Sequence, residues 1–224
     1  GPRVAVIYAS GTITSGKSGY DPVNGPVAGS ETLVEYIRQA RRDSLVRAIV
    51  LRIDSPGGSA TASDAIWREL MITRNERADR PLVVSMSDLA ASGGYYIAMP
   101  AQVIVAQPST LTGSIGIFGG KFVTGGVYEK LGARIESTSI GRNAEINSPA
   151  RRYNPEELKK LQEQLQAFYD QFVEKVADSR HSTPEKIDAL AQGRVWTGRQ
   201  AKQNKLVDEL AKGKAMDKIL RNPT

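Results

Sequence analysis

Four short apolar runs constrain what this chain can fold into. Arg3 to Ala9, Val46 to Ile53, Leu82 to Met86 and Val103 to Ala106 each have the length and apolar content of a buried strand. Helical spacing fills the gaps between the first three. Ser30 is expected to cap a helix to about Arg42, with Leu33, Val34, Ile37 and Ala40 on one face. A second helix has Thr61 and Asp64 spaced as a capping box and Ile66, Leu70 and Met71 as its apolar side. Strands alternating with helices through short connections predict an α/β domain with a mainly parallel sheet. In such sheets, sites form at the carboxyl ends of strands. Two glycine-rich turns fall there: Asp54-Ser55-Pro56-Gly57-Gly58-Ser59 and Asp88-Leu89-Ala90-Ala91-Ser92-Gly93-Gly94-Tyr95-Tyr96.

The second turn sets a serine between small residues, with a strand before it and a helical run, Tyr95 to Met99, after it. A strand–turn–helix junction can lift a hydroxyl into the open and leave the next N–H groups unpaired, facing an anion. A glycine-rich turn with an incidental serine has the same local pattern. Ser10 to Gly29, rich in Gly, Ser and Pro, reads as a loop.

Further along, Pro108 to Gly120 is another glycine-rich connection, Phe122 to Leu131 reads as a helix and Ala133 to Ser139 as a strand. Asn154 followed by Pro155 opens a long amphipathic helix to about Arg180, with Leu158, Leu161, Leu165, Phe168, Phe172, Val173 and Val176 along one side. That stripe suits core or a subunit interface. Pro184 opens a helix to Gln192, and Gly193 to Gly198 is extended.

Composition narrows the chemistry. The chain has no cysteine and one histidine, which excludes disulfides, thiolate metal sites and a cysteine nucleophile. No Asp/Glu cluster has metal-ligand spacing, and no cofactor is expected. The net charge of +6 comes from Lys and Arg interleaved with Asp and Glu, a solvated surface compatible with anionic headgroups. No basic stripe interleaved with aromatics points to nucleic acid. No apolar run reaches about 18 residues, so no spanning segment is expected. Gly1-Pro2 has the form of a tag-cleavage remnant and no leader is expected. A hydrolytic serine needs a base and an oxyanion hole. His181 lies in a polar helix-to-helix junction, a poor place for that base. A lysine made neutral by burial could serve, but no spacing selects one.

The motifs together resemble the signal peptide peptidase A family, S49, of Ser/Lys proteases. Asp54 to Ser59, Met86 to Ile97, Leu111 to Gly116, and Gly193 to Gly198 with Ala201 and Leu206-Val207-Asp208 occur there in the same order. The resemblance runs from Val4 to about Leu210. It implies a ClpP/crotonase-like fold, a peptidase domain over residues 1–210, and a tail of unclear role over 211–224. It implies Ser92 as nucleophile, Gly93 with Gly57 or Gly58 as oxyanion hole, and Ser114 as the residue positioning a catalytic lysine. Ser55 and Pro56, on an exposed strand edge, would help hold an extended peptide, and Ile115, Ile117 and Phe118 are candidates for an apolar pocket.

One departure matters. Where short members of the family carry the lysine, this chain has Ala144. Either it is the C-terminal, serine-bearing half of a long tandem member, whose N-terminal half or a neighbouring subunit supplies the lysine, or it is an engineered Lys-to-Ala form of a short member. The Asn143-Ala144 neighbourhood favours the tandem half. The chain alone should then be weak or inactive. The family further implies short hydrophobic peptides such as signal peptides as substrates, a homo-oligomer, and an extracytoplasmic site held to the bacterial inner membrane by an anchor outside this segment. A crotonase-like acyl-CoA enzyme and a catalytically silent assembly module are the alternatives.

Overall fold

The computed structural model describes residues 1–133 and 135–211. Of the expected tail, everything after Ala211 lies outside the described residues. The chain divides into two compact units. One is Gly1–Gly116 with the residues from Gln171 onward; the other is Ile117–Asp170.

The first unit is α/β. In chain order it holds β1 (Arg3–Ser10), β2 (Thr12–Thr14), β3 (Gly19–Asp21), β4 (Gly25–Gly29), α1 (Ser30–Arg42), β5 (Val46–Ser55), α2 (Ala60–Glu76), β6 (Leu82–Ala91), α3 (Gly93–Tyr96), β7 (Val103–Ala106) and β8 (Leu111–Gly113). In the second unit come α4 (Gly125–Lys130) and the start of α5 (Pro155–Ser179). The first unit then resumes with the end of α5, α6 (Pro184–Asp188), β9 (Val195–Thr197), α7 (Gly198–Gln203) and β10 (Glu209–Leu210). The main sheet runs β1-β5-β6-β7-β10, all parallel, with β8 parallel to the far end of β6 and β9 antiparallel to β8. Leu51, Ile53, Val84, Ile104, Leu33, Ile37, Ile66 and Leu70 are completely or almost completely buried and form the core between sheet and helices.

Several expectations are corrected. β1 is an edge strand and only half of it is core: Ile7 and Ala9 are buried, while Val6 and Tyr8 on the alternate face are exposed. Residues 10–29 are not one loop. β2, β3 and β4 make a small sheet of their own, and Ile13 and Ala28 anchor it. Backbone pairing built it despite glycine and proline content that favours turns. Ser30 is the first helical residue of α1, with Gly29 at the cap and no side-chain cap bond. Ser59, not Thr61, caps α2: its Oγ accepts from Ala62 N at 3.3 Å.

Strand β6 runs on past Met86 to Ala91, because β8 offers its second half a partner. The helix after Ser92 is a single turn. α4 is shorter than the predicted Phe122–Leu131 helix. Phe122 is 91% and Val127 57% exposed, so little packing supports a longer one. Residues 135–139 form no strand, since no ladder partner meets them among the described residues. α6 stops at Asp188, short of Gln192.

α5 matches its prediction at both ends. Glu157 N donates to Asn154 Oδ1 (2.8 Å) and Asn154 N donates to Glu157 Oε2 (3.0 Å), a reciprocal cap. Its apolar stripe is buried only toward the C-terminus, at Phe172, Val173 and Val176; Leu158 is exposed.

Candidate active site

Two glycine-rich turns meet at the carboxyl ends of β5 and β6. The first is held from inside. Ser55 has no exposed surface; its Oγ donates to Gly11 O (2.6 Å) and accepts from Gly57 N (3.1 Å). The next peptide units pair with β2: Ile13 N donates to Gly57 O and Ser59 N to Ile13 O, both at 2.8 Å. The Ser55–Ser59 segment is therefore not the open strand edge expected, because Ile13 occupies one side of it. Ser55 shapes the turn, while Pro56 stays exposed. Gly57 and Gly58 sit at φ +94° and +149°, conformations that L side chains resist.

The second turn carries Ser92. β8 fixes its start: Ala91 lies opposite Gly113, and Ser92 N donates to Gly113 O at 2.9 Å. Ser92 itself adopts φ 53°, ψ −118°. A non-glycine residue there is strained and persists only where its surroundings over-determine it. Gly93 opens α3, so its N–H has no partner within the helix.

The two turns touch. A Cβ on Gly57 would lie 2.4 Å from Gly93 N and 2.9 Å from Ser92 Cβ. A Cβ on Gly93 would lie 3.2 Å from Gly58 N and 2.5 Å from Ser63 Oγ. Among the described residues, neither Gly58 N nor Gly93 N donates a hydrogen bond. Two free N–H groups thus flank a strained serine, which is what stabilisation of an oxyanion beside a nucleophile requires.

β8 and the loop after it support this arrangement. Thr112 Oγ1 donates to Ala90 O (2.7 Å) and Thr110 Oγ1 to Ser87 O (2.5 Å). Ser114 takes a left-handed backbone (φ 48°), and its N–H donates to Arg194 O at 2.7 Å. Trp196 on β9 packs on Gly113, where a Cβ would come within 2.8 Å of Trp196 Cδ1. The Gly193–Gly198 motif therefore braces the Thr112-Gly113-Ser114 turn.

Behind α3 lies a polar cluster that sequence reasoning missed. Tyr96 Oη donates to Asp64 Oδ1 (2.8 Å); Lys175 Nζ donates to Asp64 Oδ1 (2.5 Å) and to Tyr96 Oη (2.7 Å). Burial pushes the Asp64 carboxyl up, but the hydrogen bonds from Lys175 and Tyr96 outweigh it and hold it below the usual range. Burial, with the bond to Asp64, pushes the Tyr96 phenol up, so it stays a donor. Asp64 and Lys175 are 111 residues apart, and no local spacing signals their meeting. By its spacing from Thr61, Asp64 reads instead as part of a helix cap.

The remaining predicted residues fall elsewhere. Ile115, in the first unit, is completely buried, so it does not wall an open pocket. In the second unit Ile117 is half-buried, Phe118 is 97% exposed, and Ala144 lies exposed in a turn where its N–H donates to Gly141 O (3.3 Å). Complete burial takes Ile115 out of the expected apolar pocket. His181 sits exposed in the α5–α6 turn at φ 50°. Among the described residues no group of His, Cys, Asp and Glu is placed to hold a metal ion, and no helix is long and apolar enough to cross a membrane.

Comparison with known families gives Peptidase family S49, matched over residues 74–221. The chain belongs to Peptidase family S49. Its relatives include Protease 4 of Salmonella typhi, 46% identical over 94% of this chain and 33% of that protein. The chloroplastic serine protease SPPA of Arabidopsis thaliana is 42% identical over 92% of this chain and 30% of that protein. The chain thus spans about a third of the length of these relatives, a share that fits one part of a long tandem member. Among solved structures, a ClpP1 mutant from Listeria monocytogenes superimposes with a TM-score of 0.59 at 15% identity, covering 95% of this chain and 93% of that one. The fold is therefore ClpP-like.

Proposed function

We propose that this S49 chain is the serine-bearing half of a peptidase that cleaves short hydrophobic peptides, signal peptides among them, by a Ser/Lys mechanism whose lysine comes from outside this segment. The observation that carries the reading is the strained Ser92 at the end of β6, packed against two unpaired backbone N–H groups. Ser92 Oγ passes its proton to a neutral lysine amine and bonds to the scissile carbonyl carbon. The carbonyl oxygen becomes an oxyanion held by the N–H groups of Gly93 and Gly58; Gly57, the other expected donor, already gives its N–H to Ser55 Oγ. The C–N bond breaks as the lysinium returns the proton to the leaving amine. Water, activated by the same lysine, then releases the acyl group from Ser92. Ser114 would orient the lysine. Residues 1–210 would act as one peptidase domain within a membrane-anchored, extracytoplasmic homo-oligomer.

The strain at Ser92 favours this over an acyl-CoA enzyme, which has no use for the hydroxyl. Turnover of an apolar signal-peptide substrate tests the proposal. The isolated chain should show none. Turnover that Ser92→Ala abolishes would place the base within this chain and overturn the external lysine. CoA-thioester turnover unaffected by Ser92→Ala would overturn the peptidase reading altogether.

A further inference from the structure

We propose that Lys175, through Asp64 and Tyr96, is a positioning residue that pins α3 and so holds Ser92 in its strained conformation; this rests on reading Ser92 as the nucleophile. α3 is one turn long, begins with two glycines and lacks a side-chain cap. An isolated turn of that kind does not hold itself. Yet Ser92 just ahead of it keeps φ 53°, so something outside the turn must oppose its relaxation. On one side that is the Ser92 N–H bond to Gly113 O. On the other it is Tyr96, whose N–H donates to Ser92 O at 2.9 Å.

Tyr96 is in turn firmly held, as is Tyr95, whose hydroxyl donates to Leu206 O at 2.8 Å. Tyr96 is 1% exposed, its ring packs 4.8 Å from Phe172 and edge-on to Trp67 at 6.3 Å, and its hydroxyl is bonded to both Asp64 and Lys175. Lys175 Nζ also lies 3.5 Å from the Trp67 ring centroid, a cation–π contact. Asp64 and Trp67 belong to α2, and so does Ser63, whose hydroxyl abuts Gly93. One ammonium on α5 thus ties α2 to α3 at the point from which Ser92 and Gly93 project. Without it, Asp64 loses its ion-pair partner and the Tyr96 hydroxyl loses the ammonium that donates to it.

Amide hydrogen exchange of the chain tests this without requiring activity. In Lys175→Met, the Tyr96 and Ile97 amides, which bond to Ser92 O and Gly93 O, should exchange at least about tenfold faster. Amides of the β1–β5 ladder should change by less than about twofold. Lys175→Arg should restore most of the protection, because a guanidinium can still reach Asp64. Tyr96→Phe keeps the ring and removes only the hydroxyl, and it should show the same local effect if Lys175→Met fails to fold. A uniform rise over sheet and α3, or no rise at α3 in either variant, overturns the proposal. Failure of Ser92 to react with a serine-directed phosphonate would instead strike at the nucleophile reading and leave the exchange result standing.

Discussion

Gly57→Ala probes the contact between the two turns directly. Gly57 has φ +94°, and a Cβ there would lie 2.4 Å from Gly93 N, 2.9 Å from Ala91 O and 2.9 Å from Ser92 Cβ. Two of those atoms are backbone and the third is the root of the serine side chain, so none can swing aside. The left-handed backbone alone costs an L-residue roughly 1–2 kcal/mol. Forcing the two turns apart adds about 1–3 kcal/mol of overpacking. The sum is about 2–5 kcal/mol. Gly16 supplies the control: its φ is +89°, but nothing lies within 4 Å of its Cβ position. Gly16→Ala should therefore cost only the backbone share, roughly 1–2 kcal/mol. Urea unfolding followed by circular dichroism measures both. A Gly57→Ala variant within about 0.5 kcal/mol of Gly16→Ala, a difference the usual scatter of surface substitutions covers, would refute the close approach of the turns.

Other consequences follow from single contacts. Ser55→Ala removes the hydroxyl that bridges Gly11 O and Gly57 N and leaves the buried Gly57 N–H unpaired; the loss expected in urea unfolding is about 1–3 kcal/mol, and a neutral outcome would deny the hydroxyl its part in shaping the turn. Asn154→Ala should lower stability by about 1 kcal/mol through loss of the α5 cap, and an unchanged unfolding midpoint would contradict that. Glu157 is held at about 2, below its ordinary 4.5, chiefly by Arg151, which donates from both terminal nitrogens. A depressed carboxylate contributes stability that is complete above 4.5 and fades as pH falls toward about 2. Glu157→Gln should remove that part of the acid dependence, and an NMR titration midpoint for Glu157 near 4.5 would contradict the ion pair.

Periodicity made the parallel core legible, because β5, β6 and β7 are buried on both faces and their apolar runs are continuous. Ser92 was legible for a different reason: the glycines that permit two backbones to meet are visible as letters. What stayed hidden depends on partners far away in the chain. β2 and β4 are strands because Ile13 finds Gly57 and Gly58, not because of their composition. Asp64 reads as a capping residue until α5 brings Lys175 to it across 111 positions. The 135–139 segment has strand-like residues but no ladder to join among the described residues. Ile115 was apolar and near Ser114, and only its complete burial removes it from a pocket wall.

On the proposed reading, Ser92 is a prepared nucleophile lacking only its base. Reaction of the purified chain with a fluorophosphonate, mapped by mass spectrometry at rising concentrations of a small primary amine, tests it most directly. A single adduct on Ser92 is expected, formed slowly, accelerated by the free amine and absent from Ser92→Ala. An adduct on another residue, or none at any amine concentration, would contradict it.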